Sequence, residues 1–205
     1  MTQSAKEFLE EYKGSRLGCY EFFSHFFGDK RVQPLLDVFP MVEAFVRGEN
    51  AFLSGSNVTA DTLSEPPQEG NKLEAEYAKL FYGVGFRTIP LSESVYRSEE
   101  GILCQGAWRD IKELYGKHNF QPRPEKEMEA DSLSMEMAFA TVLVMQGKDG
   151  KDLLELVEDH LLPVGKAIAK QIRESTDNED LQNIASTMTV FLMTERALLE
   201  QSLKG

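Results

Sequence analysis

The chain has 205 residues, of which 41% are hydrophobic and 27% are charged, and its formal net charge at pH 7 is −12. This composition is ordinary for a soluble globular protein and argues against disorder, and the length suits one domain over residues 1–205. An acidic surface repels nucleic acid and anionic lipid and favours a cationic partner such as a basic peptide. We therefore expect no nucleic-acid partner and no membrane insertion.

The N-terminal sequence MTQSAKEFLEEYKGSRLG lacks a basic region followed by an apolar core, and no apolar run approaches the roughly 18 residues of a membrane span. These features predict a cytoplasmic protein. Cys19 and Cys104 lie far apart in the sequence, without a histidine at metal-ligand spacing. Two free thiols are therefore expected in place of a disulfide or a zinc site. We expect no metal and no cofactor.

Helical signals begin near the N-terminus, where Ser4 opens a capping box. The apolar positions that follow predict one long first helix ending near Gly28. Residues 31–54 predict two short helices hinged at Pro40. The polar, turn-rich residues 55–70 predict a surface connection.

Residues 76–115 are the stretch around which the other elements are arranged. Apolar residues recur at helical spacing from Leu73 to Phe81 and from Ala107 to Tyr115, which predicts two amphipathic helices. About twenty residues lie between them, and a compact domain seldom leaves such a loop without a function. The stretch offers no nucleophile–base pair and no metal cluster, so it predicts a recognition surface.

The acidic residues 116–130 predict an irregular segment, because Pro122 and Pro124 exclude an α-helix locally. Glu125, Glu127, Glu129 and Asp131 alternate and could hold a cation, but a solvated acidic loop is the preferred interpretation.

Residues 131–145 predict a central buried helix. Asp131 stands where an N-cap belongs, with its carboxylate accepting from the amides of Leu133 and Ser134, and a role toward a ligand is equally open. A helix ending near Leu161 and another opened by Pro163 follow.

The last helix is predicted over residues 179–203. No segment alternates at a period of two for long enough to form a sheet. The sequence therefore predicts an all-α domain of about eight to ten helices.

Two blocks of the sequence resemble a known protein family. They are Leu80-Phe81-x-Gly83 with Pro90-x-x-Glu93-Ser94-Val95-Tyr96 and a helix ending in Tyr115, and then Glu129-Ala130-Asp131-Ser132 with Glu136-Met137. In order and separation these blocks resemble the TorD/DmsD/NarJ family of redox-enzyme maturation chaperones. The chain departs from the family pattern at Leu91 and Ser92, where Pro-Tyr is frequent, and at Ser132, where His is usual.

The resemblance implies a non-enzymatic chaperone, a monomer or homodimer, that binds the catalytic subunit of a molybdenum-containing oxidoreductase. Binding often uses the client's twin-arginine signal peptide and lasts until the cofactor is inserted and export is safe. The residues that the resemblance and the surrounding pattern assign to client binding are Phe81, Pro90, Glu93, Ser94, Tyr96, Trp108, Glu129, Asp131 and His160.

A signal peptide joins a basic region to a short apolar stretch, which calls for acidic groups beside an apolar groove. Glu93 and Asp131 are candidates for the acidic groups, and Tyr96 and Trp108 are candidates for the apolar surface. Placement of both aromatic residues in the core is an equally open alternative. The alternative function is a helical adaptor that binds a folded partner without recognising a signal peptide, and an enzyme ranks third.

Overall fold

The computed structural model describes residues 3–29, 32–55, 70–83, 88–98, 100–104, 106–147 and 150–204. Within these ranges all regular elements are helical, which confirms the all-α prediction. The connection predicted over residues 55–70 lies almost entirely outside the described residues. The α-helices are α1 (Ala5–Glu11), α2 (Lys13–Gly28), α3 (Gln33–Leu36), α4 (Phe39–Ser54), α5 (Gly70–Phe81), α6 (Glu93–Arg97), α7 (Gly106–Lys117), α8 (Leu133–Met145), α9 (Lys151–Glu155), α10 (Leu162–Ser175) and α11 (Glu179–Lys204). A 3₁₀ turn covers Pro124–Glu129, and a π-helical turn covers Leu156–Leu161.

Helix α8 is the central helix, and it packs most extensively against α2. Its residues are apolar on nearly every side and mostly buried, as expected of a helix that is enclosed by others. Helix α11 packs against α10, α4 and α1. Tyr20 of α2 and Phe191 of α11 meet edge to face, with ring centroids 4.9 Å apart. One hydrophobic core therefore extends from α1 to α11.

Local sequence signals predict several helix ends correctly. Ser4 forms the predicted capping box with Glu7, and Gly28 is the last residue of α2. The prediction of one long first helix is wrong, because Tyr12, with φ −100° and ψ 18°, separates α1 from α2. The break lets α1 pack against α11.

The predicted hinge at Pro40 is also wrong. Helix α3 ends at Leu36 and α4 begins at Phe39, so Pro40 lies in the first turn of α4. A proline is tolerated there because first-turn amides have no intrahelical acceptor. Pro124 likewise opens the 3₁₀ turn inside the segment that is predicted to be irregular.

The prediction that Pro163 opens a helix is confirmed, because α10 begins at Leu162 and has Pro163 in its first turn, and the π-helical turn joins α10 to α9 without a break in the helical backbone. Pro163 has no N–H to offer the carbonyl of Asp159, four residues earlier in the chain. The guanidinium of Arg97 approaches this carbonyl instead, with Nη1 3.4 Å from the oxygen. The π-helical turn lies just before this point and carries His160.

Candidate functional site

The two sequence blocks that carry the family resemblance are joined by backbone hydrogen bonds. The amide of Glu93 donates to the carbonyl of Asp131 at 2.7 Å, and the amide of Leu133 donates to the carbonyl of Leu91 at 2.9 Å. Ser92 and Ser132 form an isolated antiparallel bridge between these contacts. The short helix α6 is thereby held against the N-terminal end of α8.

Asp131 does not cap α8, which corrects the sequence-based assignment. The cap is Ser132, whose hydroxyl accepts from the amide of Met135 at 3.3 Å. The buried carboxylate of Asp131 instead accepts from the amide of Ser94 at 2.8 Å, in the first turn of α6. Its other oxygen, Oδ1, has no hydrogen-bond partner within the described ranges.

Glu93 and His160 form a buried pair between α6 and the π-helical turn. Nδ1 of His160 lies 2.8 Å from Oε2 of Glu93, and Nη1 of Arg97 donates to Oε1 of Glu93 at 2.8 Å. The carboxylate of Glu93 is fully buried, whereas the side chain of Arg97 is 45% exposed. Glu93, Ser94, Asp131 and His160 are therefore brought together, but all four are buried.

Glu136 completes this cluster, although it is absent from the predicted binding residues. It is fully buried on α8, and neither of its carboxyl oxygens has a hydrogen-bond partner in the described part of the chain. Burial raises its pKa well above the ordinary value, and the negative charges of Glu93 and Asp131 raise it further. One potential ligand atom from each of Glu93, Glu136 and His160 lies within 4.8 Å of the others. The available signal in the sequence was a glutamate inside an otherwise apolar helix.

The predicted aromatic residues are half-buried against the core and neither fully enclosed nor fully exposed. The hydroxyl of Tyr96 donates to the carbonyl of Pro90 at 2.7 Å. The indole N–H of Trp108 donates to the carbonyl of Glu127 at 3.0 Å, and Nζ of Lys112 lies 4.1 Å from the ring centroid. Both rings thus pack against the core and leave part of their surface exposed to a partner.

The other predicted residues at this end are placed separately. Phe81 and Pro90 are half-buried, and the ring of Phe81 lies 6.0 Å from that of Phe27. Glu129 is exposed and pairs with Lys126 at 2.6 Å. Glu125 and Glu127 are also exposed, whereas Asp131 is buried, so the alternating acidic residues do not form one cation site.

Two adjoining cavities run along α2 and were not predicted from the sequence. The first is an apolar groove of about 510 Å³ between α2 and α4. The second, of about 440 Å³, lies between the end of α2, residues 120–129 and α8. His25 lines both cavities, and Glu129 lines the second. We call the two together the α2 groove.

A second buried charged cluster lies on the other side of α2. Nε and Nη2 of Arg16 donate to the two carboxylate oxygens of Glu195 at 2.7 and 3.0 Å. The hydroxyl of Tyr20 donates to Glu195 at 2.9 Å. Glu49 is fully buried nearby, and burial, followed by the negative charge of Glu195, raises its pKa well above the ordinary value.

Neither cysteine forms a disulfide, as predicted, and Cys19 is buried while Cys104 is half-buried. Among the described residues no helix combines the length and apolar character of a membrane span.

The structure thus combines an all-α fold with a surface groove along α2. A family model for the nitrate reductase delta subunit matches residues 49–169, which is more than half of the chain. The chain belongs to this family. Membership implies a maturation chaperone of molybdoenzymes. Neither the curated proteins nor the solved structures include a match to this chain.

Proposed function

We propose that this protein is a cytoplasmic chaperone that binds the catalytic subunit of a molybdenum-containing oxidoreductase through its twin-arginine signal peptide. It holds the client until the cofactor has been inserted and export is safe. The family membership supports a molybdoenzyme client. The net charge of −12 supports a cationic segment as the part that is bound first.

The observation that carries the proposal is the α2 groove, because its two cavities match the two parts of a signal peptide. The apolar cavity is lined by Phe22, Val42 and Phe45, with Met41 exposed at its edge. An apolar helical stretch gains affinity by burying its side chains in such a groove. The adjoining cavity is lined by Asp29 and Glu129 beside Arg123 and Lys126, and Glu129 pairs with Lys126. In this proposal the basic residues of the peptide bind the two acidic side chains and replace Lys126 at Glu129.

The predicted binding residues divide into two roles in this proposal. Phe81, Pro90, Tyr96, Trp108 and Glu129 are at least partly exposed and contact the client. The buried residues, which are Glu93, Ser94, Asp131 and His160, act by holding α6 against α8 and the π-helical turn. A positioned recognition surface costs less conformational entropy on binding than one that must order first.

The test is a titration of the purified protein with a fluorescent twin-arginine signal peptide and a scrambled peptide of the same composition. We expect tighter binding of the native peptide and weaker binding as salt rises, because screening acts over about 10 Å at 0.1 M salt. Equal binding of the two peptides would refute signal-peptide recognition. If neither peptide bound but the full catalytic subunit did, the adaptor interpretation would replace it.

Met41→Glu tests whether the signal peptide binds in the α2 groove. The Met41 side chain is 67% exposed at the groove, so the substitution should leave folding intact and weaken peptide binding by at least about tenfold, or about 1.4 kcal/mol. Met145→Glu is the matched control, because Met145 is 64% exposed at the end of α8 and does not line either cavity of the α2 groove. Equal effects of the two substitutions would remove the groove from the proposal.

A further inference from the structure

We propose that Glu93, Glu136 and His160 form a binding site for a divalent transition-metal ion such as Zn²⁺. This inference concerns a second ligand and is independent of client recognition. Two carboxylates and one imidazole are a donor set that Zn²⁺ uses, and three protein ligands leave a further position for water.

The distances in the cluster fit a shared ion. Three ligand atoms, one from each residue, lie within 4.8 Å of one another, and Nδ1 of His160 is 2.8 Å from Oε2 of Glu93. Ligand atoms that bind one Zn²⁺ at about 2.1 Å stand roughly 3–3.5 Å apart. Small side-chain adjustments would therefore bring all three onto one ion.

The buried carboxyl groups supply the charge that a cation at this point would need. Glu93, Asp131 and Glu136 are three fully buried carboxyl groups, and Arg97 pairs with Glu93. Neither oxygen of Glu136 accepts a hydrogen bond from a donor within the described ranges, so its lone pairs are available to a metal ion. A divalent cation beside a neutral His160 would balance the three carboxylates together with Arg97.

The remaining contacts supply orientation and access. Arg97 holds Glu93 in place, and the amide of Ser94 holds Asp131. Residues that do not touch a metal ion commonly orient its ligands through such hydrogen bonds. Ser94 and Arg97 also line a surface cavity of about 260 Å³, which contains Asp110 and offers an entry path. His160 lies on the π-helical turn, a helix irregularity that is frequent at functional sites.

The experiment measures Zn²⁺ binding to the chelator-treated full chain by native mass spectrometry and by competition with a chromophoric chelator. We expect one tightly bound ion per chain and a higher melting temperature with Zn²⁺, since a ligand that binds the native state stabilises it. Glu136→Gln keeps the shape of the side chain and should weaken binding by at least about 100-fold, because loss of even an outer partner costs about 10–100-fold.

Glu49→Gln is the matched control, since Glu49 is also a fully buried glutamate whose oxygens have no partner in the described ranges. It should bind Zn²⁺ like the parent. A second variant, His160→Asn, keeps an N–H donor toward Glu93 and removes a metal ligand, and it should also lose binding. Absence of binding in the parent, or equal binding by the parent, Glu136→Gln and His160→Asn, would overturn the proposal. An equal loss in Glu49→Gln would also overturn it, because the effect would then reflect a general loosening of the fold.

Discussion

The two buried charged clusters differ in how their cations are enclosed. Arg16 is fully buried, and two of its nitrogens bind both oxygens of Glu195. Arg97 is 45% exposed, and one of its nitrogens binds one oxygen of Glu93. The guanidinium of Arg16 is sealed between helices, whereas Arg97 lines a surface cavity while it holds Glu93. We therefore expect the Arg16 cluster to be structural and the Arg97 cluster, which borders the cavity, to be the one that a small ligand reaches.

Each cluster also contains one carboxyl group without a hydrogen-bond partner in the described ranges, Glu49 in the first and Glu136 in the second. Burial raises the pKa of both groups. Within the described residues only the second cluster gathers carboxyl groups and an imidazole at possible ligand distances. Glu49 and Glu136 are thus similar buried carboxyl groups, but only Glu136 lies beside an imidazole with which it could share a metal ion.

The largest expected effect is on stability, from Arg16→Met. The substitution leaves Glu195 buried without its guanidinium, and removal of one partner of a buried ion pair costs about 3–5 kcal/mol. Urea unfolding measures the loss. Arg196→Met is the matched control, because Arg196 pairs with Glu158 and Glu200 near the surface, where such pairs contribute less than about 1 kcal/mol. Equal losses would contradict the structural role of the Arg16 cluster.

The second prediction concerns the pH dependence of stability through Glu49. Above the ordinary pKa of a glutamate and below the raised pKa of Glu49, the folded state holds one more proton than the unfolded state. The free energy of unfolding therefore falls as pH rises, by up to about 1.4 kcal/mol per pH unit. Glu49→Gln should remove this contribution and make the profile less steep above about pH 5, where an unfolded glutamate has lost its proton. Urea unfolding at several pH values gives both slopes, and parallel profiles would contradict the prediction.

Arg97→Met gives the direct contrast with Arg16→Met. We expect a smaller loss of stability, about 1.5 kcal/mol, because Arg97 is partly exposed and His160 still lies 2.8 Å from Glu93. The same unfolding assay measures it. A loss as large as that of Arg16→Met would mean that both guanidinium groups are structural anchors of similar strength.

Elements with a strong local period could be predicted from the sequence. The apolar repeats of α5, α7, α8 and α11 identify these helices, since the repeat lies within each helix. The division at Tyr12 and the π-helical turn have no local signal, because packing against other helices decides them. Pro40 shows the limit of a single-residue rule, since proline both ends helices and begins them.

The candidate site was predicted only in part, because its partners are distant in the sequence. The capping rule assigned Asp131 to the helix that follows it, whereas its carboxylate accepts from Ser94, 37 residues away. Glu93 and His160 are 67 residues apart, and their separate motifs carry no information about a mutual contact. Arg16 and Glu195 are 179 residues apart, and neither belongs to the two blocks that carry the resemblance.

The smallest expected effect comes from Tyr96→Phe, in α6. The hydroxyl of Tyr96 donates to the carbonyl of Pro90, so the substitution removes one hydrogen bond and keeps the ring. We expect a loss of about 1 kcal/mol in the free energy of unfolding. Tyr12→Phe, at an exposed tyrosine beside α1, is the control and should change stability less.

Tyr96→Phe also tests how Tyr96 takes part in client binding. If the half-buried ring of Tyr96 contacts the peptide and the hydroxyl only holds Pro90, Tyr96→Phe should bind the signal peptide within about twofold of the parent, a difference of about 0.4 kcal/mol. A tenfold loss with a normal melting curve would instead place the hydroxyl against the client. The Tyr96–Pro90 contact would then be a resting arrangement that the client replaces.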